Sequence, residues 1–166
     1  MIAPPSRVIV PLLDYARVGR RRITPGDLKA IQAVCEEIGA LGEQVVLNHE
    51  RKRLRALGQS SAALRVERVS LRSVSEGYDI SSFEDDGCTR RYIEVKATVG
   101  DGLIVDFSAG EWKAAKSFGI RYYVVRVRRV RTNPELLFFN DPCRLESQGL
   151  IERTPSGWRL DLALAV

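Results

Sequence analysis

Cysteine is scarce in this chain: Cys35, Cys88 and Cys143 are scattered, odd in number, and form no CxxC pair. That usage argues against a disulfide framework and a zinc ribbon and for a reducing compartment. Histidine is scarcer still. The single His49 rules out catalytic sites that need two or more imidazoles, and it reads as a helix-surface residue. No apolar run approaches the ~20 residues of a membrane span. The opening Met1-Ile2-Ala3-Pro4-Pro5, with Pro11 after it, does not make a signal peptide. Internal repeats and low-complexity tracts are missing too. The expectation is a soluble, cytoplasmic protein with no membrane partner.

What is present begins with size and charge. The 166 residues suit one domain with a real core, plus a short appendage. Net charge is +5 although 21 acids are present, and the excess is clustered. Clustered positive charge suits a polyanionic partner, with a basic solvated surface as the plainer alternative.

Residues 1–23 read as an arm or connector. Arg17, Arg20, Arg21 and Arg22 form a basic cluster there, equally suited to facing a nucleic acid or to being solvated. Residues 24–166 read as the domain. Thr24-Pro25 opens a helix, with Thr24 as N-cap and Asp27 at the positive end of the dipole. Gly39 and Gly42 suggest a break, and a second helix runs from about Gly42 to Leu57. It carries Glu43 and Glu50, seven residues and hence about 20° apart around the axis. Gln59 to Ala63 reads as a polar loop, and Val66 to Val74 alternates as a strand. Ser108 and Glu111 form a capping box, with Phe107 and Trp112 as its hydrophobic staple. Arg121 to Arg131 is a β-prone strand, covered on both faces near 122–125. The tail adds a strand at Leu136–Phe139, a turn at Asn140-Asp141-Pro142, and a strand at Trp158–Leu164. The order predicts an α/β (α+β) domain with a mixed central sheet flanked by helices.

The chemistry gathers on one hairpin. Glu84-Asp85-Asp86-Gly87 is a turn signal between Gly77-Tyr78-Asp79-Ile80 and Ile93-Glu94-Val95-Lys96. Folding about Asp86-Gly87 pairs residues whose numbers sum to roughly 173, which sets Asp79 opposite Glu94. Strand alternation puts Glu94 and Lys96 on one face and Val95 on the other. Two carboxylates and an ammonium then share one patch, a costly arrangement to bury unless a divalent cation resolves the repulsion. The plainer alternative is a surface salt-bridge trio.

At these residues the sequence resembles the PD-(D/E)XK nuclease superfamily, the restriction-endonuclease-like fold. More closely it resembles NO VEIN C-terminal-type domains. Their pattern includes Gly-x-Glu on a helix, Gly-Tyr-Asp-Ile, Ile-Glu-Val-Lys and a later Ser-x-x-Glu-Trp. The matching residues are Gly42-Glu43, Gly77 to Ile80, Ile93 to Lys96, and Ser108 to Trp112. Tyr78 stands where much of the superfamily has proline. The resemblance covers about residues 40–166 and leaves 1–23 unexplained.

The resemblance implies a metal-dependent endonuclease or nuclease module. Mg²⁺ or Mn²⁺ would be held by Asp79, Glu94 and the Val95 carbonyl. Glu43 would complete the shell or hold a ligand water, unless it is only a helix-start acid. Lys96 would orient or help deprotonate the attacking water. The partner would be a nucleic acid, with DNA preferred over RNA. Candidate contacts are Arg51, Lys52, Arg55, Lys113, Lys116, Arg126 and Arg128, ordinary solvated charges being the alternative. A homodimer, or partner domains of a defence or repair system, fits by fold analogy. The rival reading is a catalytically silent nucleic-acid-binding or assembly module on the same fold. Tyr78, Tyr92 and Tyr122 could stack on bases, although strands of this kind usually bury such rings.

Overall fold

Thr24 caps the first helix as its chemistry dictates. Its side chain accepts from the Asp27 N–H at 3.2 Å, and the Asp27 carboxylate accepts from the Thr24 N–H at 2.9 Å. A computed structural model of the chain describes residues 24–73 and 75–154. The basic cluster at 17–22 and the strand expected at Trp158–Leu164 lie outside the described residues.

Where two helices were expected there is one, α1 (Pro25–Ala56). Gly39 and Gly42 do not break it. The Gly42 backbone lies so close to β3 that an added Cβ would stand 2.5 Å from the Ala97 Cβ. The glycine is a packing point, and the ~1 kcal/mol that glycine costs a helix is offset by that contact. The expected polar loop at 59–63 is also helical, α2 (Ser60–Leu64), because Ala62 and Ala63 are buried against the core.

The expected strand at 66–74 shrinks to β1 (Glu67–Arg68), followed by a 3-10 turn at Val69–Leu71. The Asp79 carbonyl accepts from both the Val69 and Ser70 N–H groups, at 2.7 and 3.2 Å, which curls the chain off the ladder. Then come β2 (Ile80–Phe83), β3 (Arg90–Ala97), α3 (Ala109–Phe118), β4 (Tyr122–Arg128), β5 (Glu135–Asn140) and α4 (Pro142–Ser147). The expected turn at 140–142 is the start of α4, whose N-cap Asp141 accepts from the Arg144 N–H.

Among the described residues the sheet has five strands in the order β1-β2-β3-β4-β5. β3 and β4 run parallel and the other pairs antiparallel, so the sheet is mixed and the class is α+β. The β2–β3 register pairs Ile80 with Ile93 and Ser81 with Tyr92, the predicted one. Strand alternation then divides the core. Ile93, Val95, Val125 and Val127 face α1 and pack with Val46, Leu47 and Leu54. Each such side chain contributes roughly 1.5–3 kcal/mol on full burial. Tyr122 and Val124 form a smaller cluster with Ala114 and Ala115 of α3. Among the described residues no helix is long and apolar enough to cross a membrane.

Candidate active site

Glu94 and Lys96 lie on the face of β3 that α3 covers, away from α1. Lys96 Nζ is 2.8 Å from Glu94 Oε1 and 3.0 Å from Glu111 Oε2. Asp79 sits just before β2, and its Oδ2 accepts the Val95 N–H at 2.8 Å. That bond ties the Asp79 side chain to the residue between Glu94 and Lys96. Asp79, Glu94 and Glu111 line a cleft of about 340 Å³ whose other walls include Ser70, Ser73 and Ser108. Gly77 lets the pieces meet. Its φ is +75°, and a Cβ there would stand 2.7 Å from the Ala114 Cβ on α3.

The electrostatics follow from three acids around one ammonium. Burial pushes the Glu94 carboxyl up to about 9, and the charge of Asp79 adds to the rise against the pull of Lys96. Burial likewise pushes Asp79 up to about 6, opposed by the Val95 N–H and reinforced by Glu43. Burial works against the Lys96 ammonium, but Glu94 and Glu111 outweigh it, and its pKa rises. Burial is the largest cause at both acids, and repulsion from the neighbouring carboxylates adds to their reluctance to ionise.

Glu43 stands at the margin. Its charge reaches Asp79, but its Oε2 is taken by the Arg68 guanidinium at 2.5 Å and by the Ser70 hydroxyl. Glu50, seven residues on, serves the core instead. It is fully buried and bound by Arg53, Arg91 and Ser82.

The basic residues divide. Arg51, Lys52 and Arg55 ride on α1, which packs on the sheet face opposite Glu94 and Lys96. Arg51 donates to the Val66 carbonyl at 2.9 Å, while Lys52 and Arg55 are exposed. Lys113 and Lys116 are exposed on α3, the helix beside the cleft. Arg126 is only 7% exposed, and its guanidinium donates to the carbonyls of Gly102 and Lys96. Arg128 pairs with Glu135 at 2.7 Å. The tyrosines pack on one another. Tyr92 stacks on Phe118 with centroids 3.8 Å apart, Tyr78 meets Tyr92 edge-on, and the buried Tyr122 donates to the Gly77 carbonyl. His49 is exposed on α1 against the Phe138 ring.

Sequence reasoning assigned Glu111 mainly to helix capping, and missed Arg68 and Ser70. The capping box is present, and the same carboxylate also reaches Lys96. The signal was the Ser-x-x-Glu-Trp motif itself, whose second role shows only once α3 is laid on the sheet. Nothing in the sequence around Arg68 announces its contact with Glu43.

Among the described residues no three or more His, Cys, Asp or Glu side chains gather as a ready-made metal cage. Asp79 and Glu94, two carboxylates lining one cleft, nonetheless suit Mg²⁺, which typically takes one or two carboxylates and keeps several waters. The carboxylate oxygens of Asp79 and Glu94 are the hard donors that such an ion takes, so the residues present fit a hard divalent ion.

A family described as Protein NO VEIN, C-terminal matches residues 42–139, a span that starts at Gly42 and holds the whole cleft. No curated protein and no solved structure gives a significant match to the chain.

Proposed function

We propose, from the premise that the chain belongs to the NO VEIN C-terminal family, that it is a metal-dependent nuclease of the PD-(D/E)XK type acting on DNA. One observation carries the reading: Asp79 and Glu94 line one cleft, the Val95 N–H ties Asp79 to β3, and Lys96 is ion-paired to Glu94. The mixed sheet flanked by helices is the architecture that the resemblance implies.

Asp79 and Glu94, with the Val95 carbonyl, would hold Mg²⁺ or Mn²⁺. Glu43 stands by, and Arg68 and Ser70 fix its carboxylate. The bound ion would act as Lewis acid and lower the pKa of its water. Lys96 orients the attacking water and offsets negative charge that builds on the phosphorus oxygens. The outcome is a phosphodiester opened by water. Lys113 and Lys116, exposed on the helix beside the cleft, are placed to meet the phosphate backbone. Three free cysteines support a reducing, cytoplasmic setting. A second copy, or a partner domain of a defence or repair system, would supply the second cut of a duplex.

The test is incubation of purified protein with plasmid, linear DNA and RNA in Mg²⁺ or Mn²⁺. Cleavage of DNA that disappears in Asp79→Ala and Lys96→Ala supports the reading. Cleavage that survives both substitutions overturns it.

A second reading, a catalytically silent nucleic-acid-binding or assembly module, draws on the engagement of Glu43 by Arg68 and Ser70. Salt-sensitive DNA binding without turnover or metal dependence would favour it.

A further inference from the structure

Glu111 belongs to α3, yet one of its oxygens answers two elements. Oε2 accepts the Ser108 N–H at 2.8 Å, which closes the capping box, and Lys96 Nζ at 3.0 Å, which lies across the cleft on β3. A cap has no need of the lysine. Any acid or amide at this helix position would close the box wherever Lys96 stood. The lysine, by contrast, needs a second partner. Its stem is long and its ammonium rotates freely. Glu94 Oε1 at 2.8 Å holds one side, and the Phe107 ring, centred 5.4 Å from Nζ, flanks it. If Glu94 also serves a divalent ion, a lysine held by Glu94 alone shares its anchor. Glu111 is the anchor outside that metal-binding pair.

We infer that Glu111 is a positioning residue for Lys96, fixing from α3 where the ammonium stands relative to Asp79 and Glu94. This rests on the nuclease reading of the cleft and adds to it a residue from a second element. α3 is itself well placed for the task, because Gly77, two residues before Asp79, packs against its Ala114 and the Gly110 carbonyl. Rotation or fraying of the first turn of α3 would therefore move the lysine anchor and the entry to Asp79 together.

The experiment uses the full chain as wild type, Glu111→Ala, Glu111→Gln and Ala115→Gly. The last loosens the same helix from its buried side, where Ala115 is fully buried. Two readouts are taken. One is kcat and KM for Mn²⁺-dependent plasmid cleavage. The other is the rate at which formaldehyde and a mild borohydride methylate the Lys96 amine, scored by mass spectrometry against the exposed Lys113. Glu111→Ala is expected to lower kcat about 10- to 100-fold with KM little changed, the usual cost of losing a partner that orients a site group. It should also raise Lys96 methylation toward that of Lys113. Glu111→Gln keeps a cap acceptor and should fall between wild type and Glu111→Ala in both readouts. Ala115→Gly should lose thermal stability while both readouts stay near wild type.

Equal kcat losses in Glu111→Ala and Ala115→Gly, with Lys96 methylation unmoved, would overturn the inference. Should Glu111→Ala fail to fold, a Glu111→Gln variant identical to wild type in Lys96 methylation overturns it as well. Should wild type cut no DNA, the nuclease reading fails, while the methylation ratios still decide whether Glu111 holds the lysine.

Discussion

Gly42 on α1 and Ala97 on β3 approach so closely that a Cβ on the glycine would lie 2.5 Å from the alanine Cβ. The approach sets α1 against the strand that carries Glu94 and Lys96, and with it the place of Glu43. Gly42→Ala should therefore destabilise the fold by about 1–3 kcal/mol, the usual cost of overpacking, despite the better helix propensity of alanine. Gly39→Ala, three residues earlier on the same helix, meets nothing within 4 Å. It should stabilise by up to about 1 kcal/mol. Urea denaturation of the two variants checks the opposite signs.

A divalent ion should stabilise the protein through Asp79 and Glu94. Thermal melts are expected to shift upward in Mn²⁺ or Mg²⁺, by the equivalent of about 2.7 kcal/mol at a hundredfold excess over Kd. Asp79→Asn and Glu94→Gln should abolish the shift. In the absence of metal Glu94→Gln should cost little or even stabilise, because it removes a carboxylate that burial already disfavours. An equal metal shift in wild type and both variants would place the ion elsewhere.

Lys96→Ala should slow cleavage by about 10²–10⁴-fold, the range for a group that manages protons in the transition state. DNA affinity should hold, since Lys96 is partly buried among acids and the exposed lysines of α3 are untouched. Fluorescence anisotropy with labelled DNA in Ca²⁺ separates the two quantities. A parallel loss of affinity and rate would mean that Lys96 binds substrate and has no special part in the chemistry.

Glu50 makes stability depend on acid pH. Burial alone would raise its pKa, but hydrogen bonds from Arg53 and Ser82 and the charge of Arg91 outweigh burial and leave it lowered from 4.5. A depressed carboxyl contributes stability that is fully present above the unfolded value. That stability is lost as pH falls through the folded value. Denaturation midpoints should thus decline below about pH 4.5 in wild type, and Glu50→Gln should flatten that decline. At neutral pH Glu50→Gln should cost about 3–5 kcal/mol, because Arg53 and Arg91 lose their buried partner.

The hairpin was legible because its signals are local. An Asp-Gly turn and two-residue alternation were enough to place Asp79 across from Glu94 and Lys96 beside it. The capping box of α3 and its Phe107–Trp112 staple, with ring centroids 6.0 Å apart, were legible for the same reason. What escaped was set by packing between distant segments. Gly39 and Gly42 look like a helix break until β3 is found lying against Gly42. The apolar residues of 66–74 look like a strand until the Asp79 carbonyl takes two successive N–H groups. Arg126 looks like a surface charge until the chain at Gly102 folds over it. No spacing rule within one segment reports such contacts.

The place of β3 in the sheet has one more consequence. The first half of β3, Arg90 to Ile93, is paired with β2, and Tyr92 to Ala97 is paired with β4, while the Asp79 carboxylate takes the Val95 N–H where β2 has ended. The separation of Glu94 from Lys96 is a fixed ruler, cut to one repeat of the pleat. If the nuclease reading holds, a nucleic-acid strand would have to bend or shift its own backbone to match that ruler, and its pliability would help decide where it is cut.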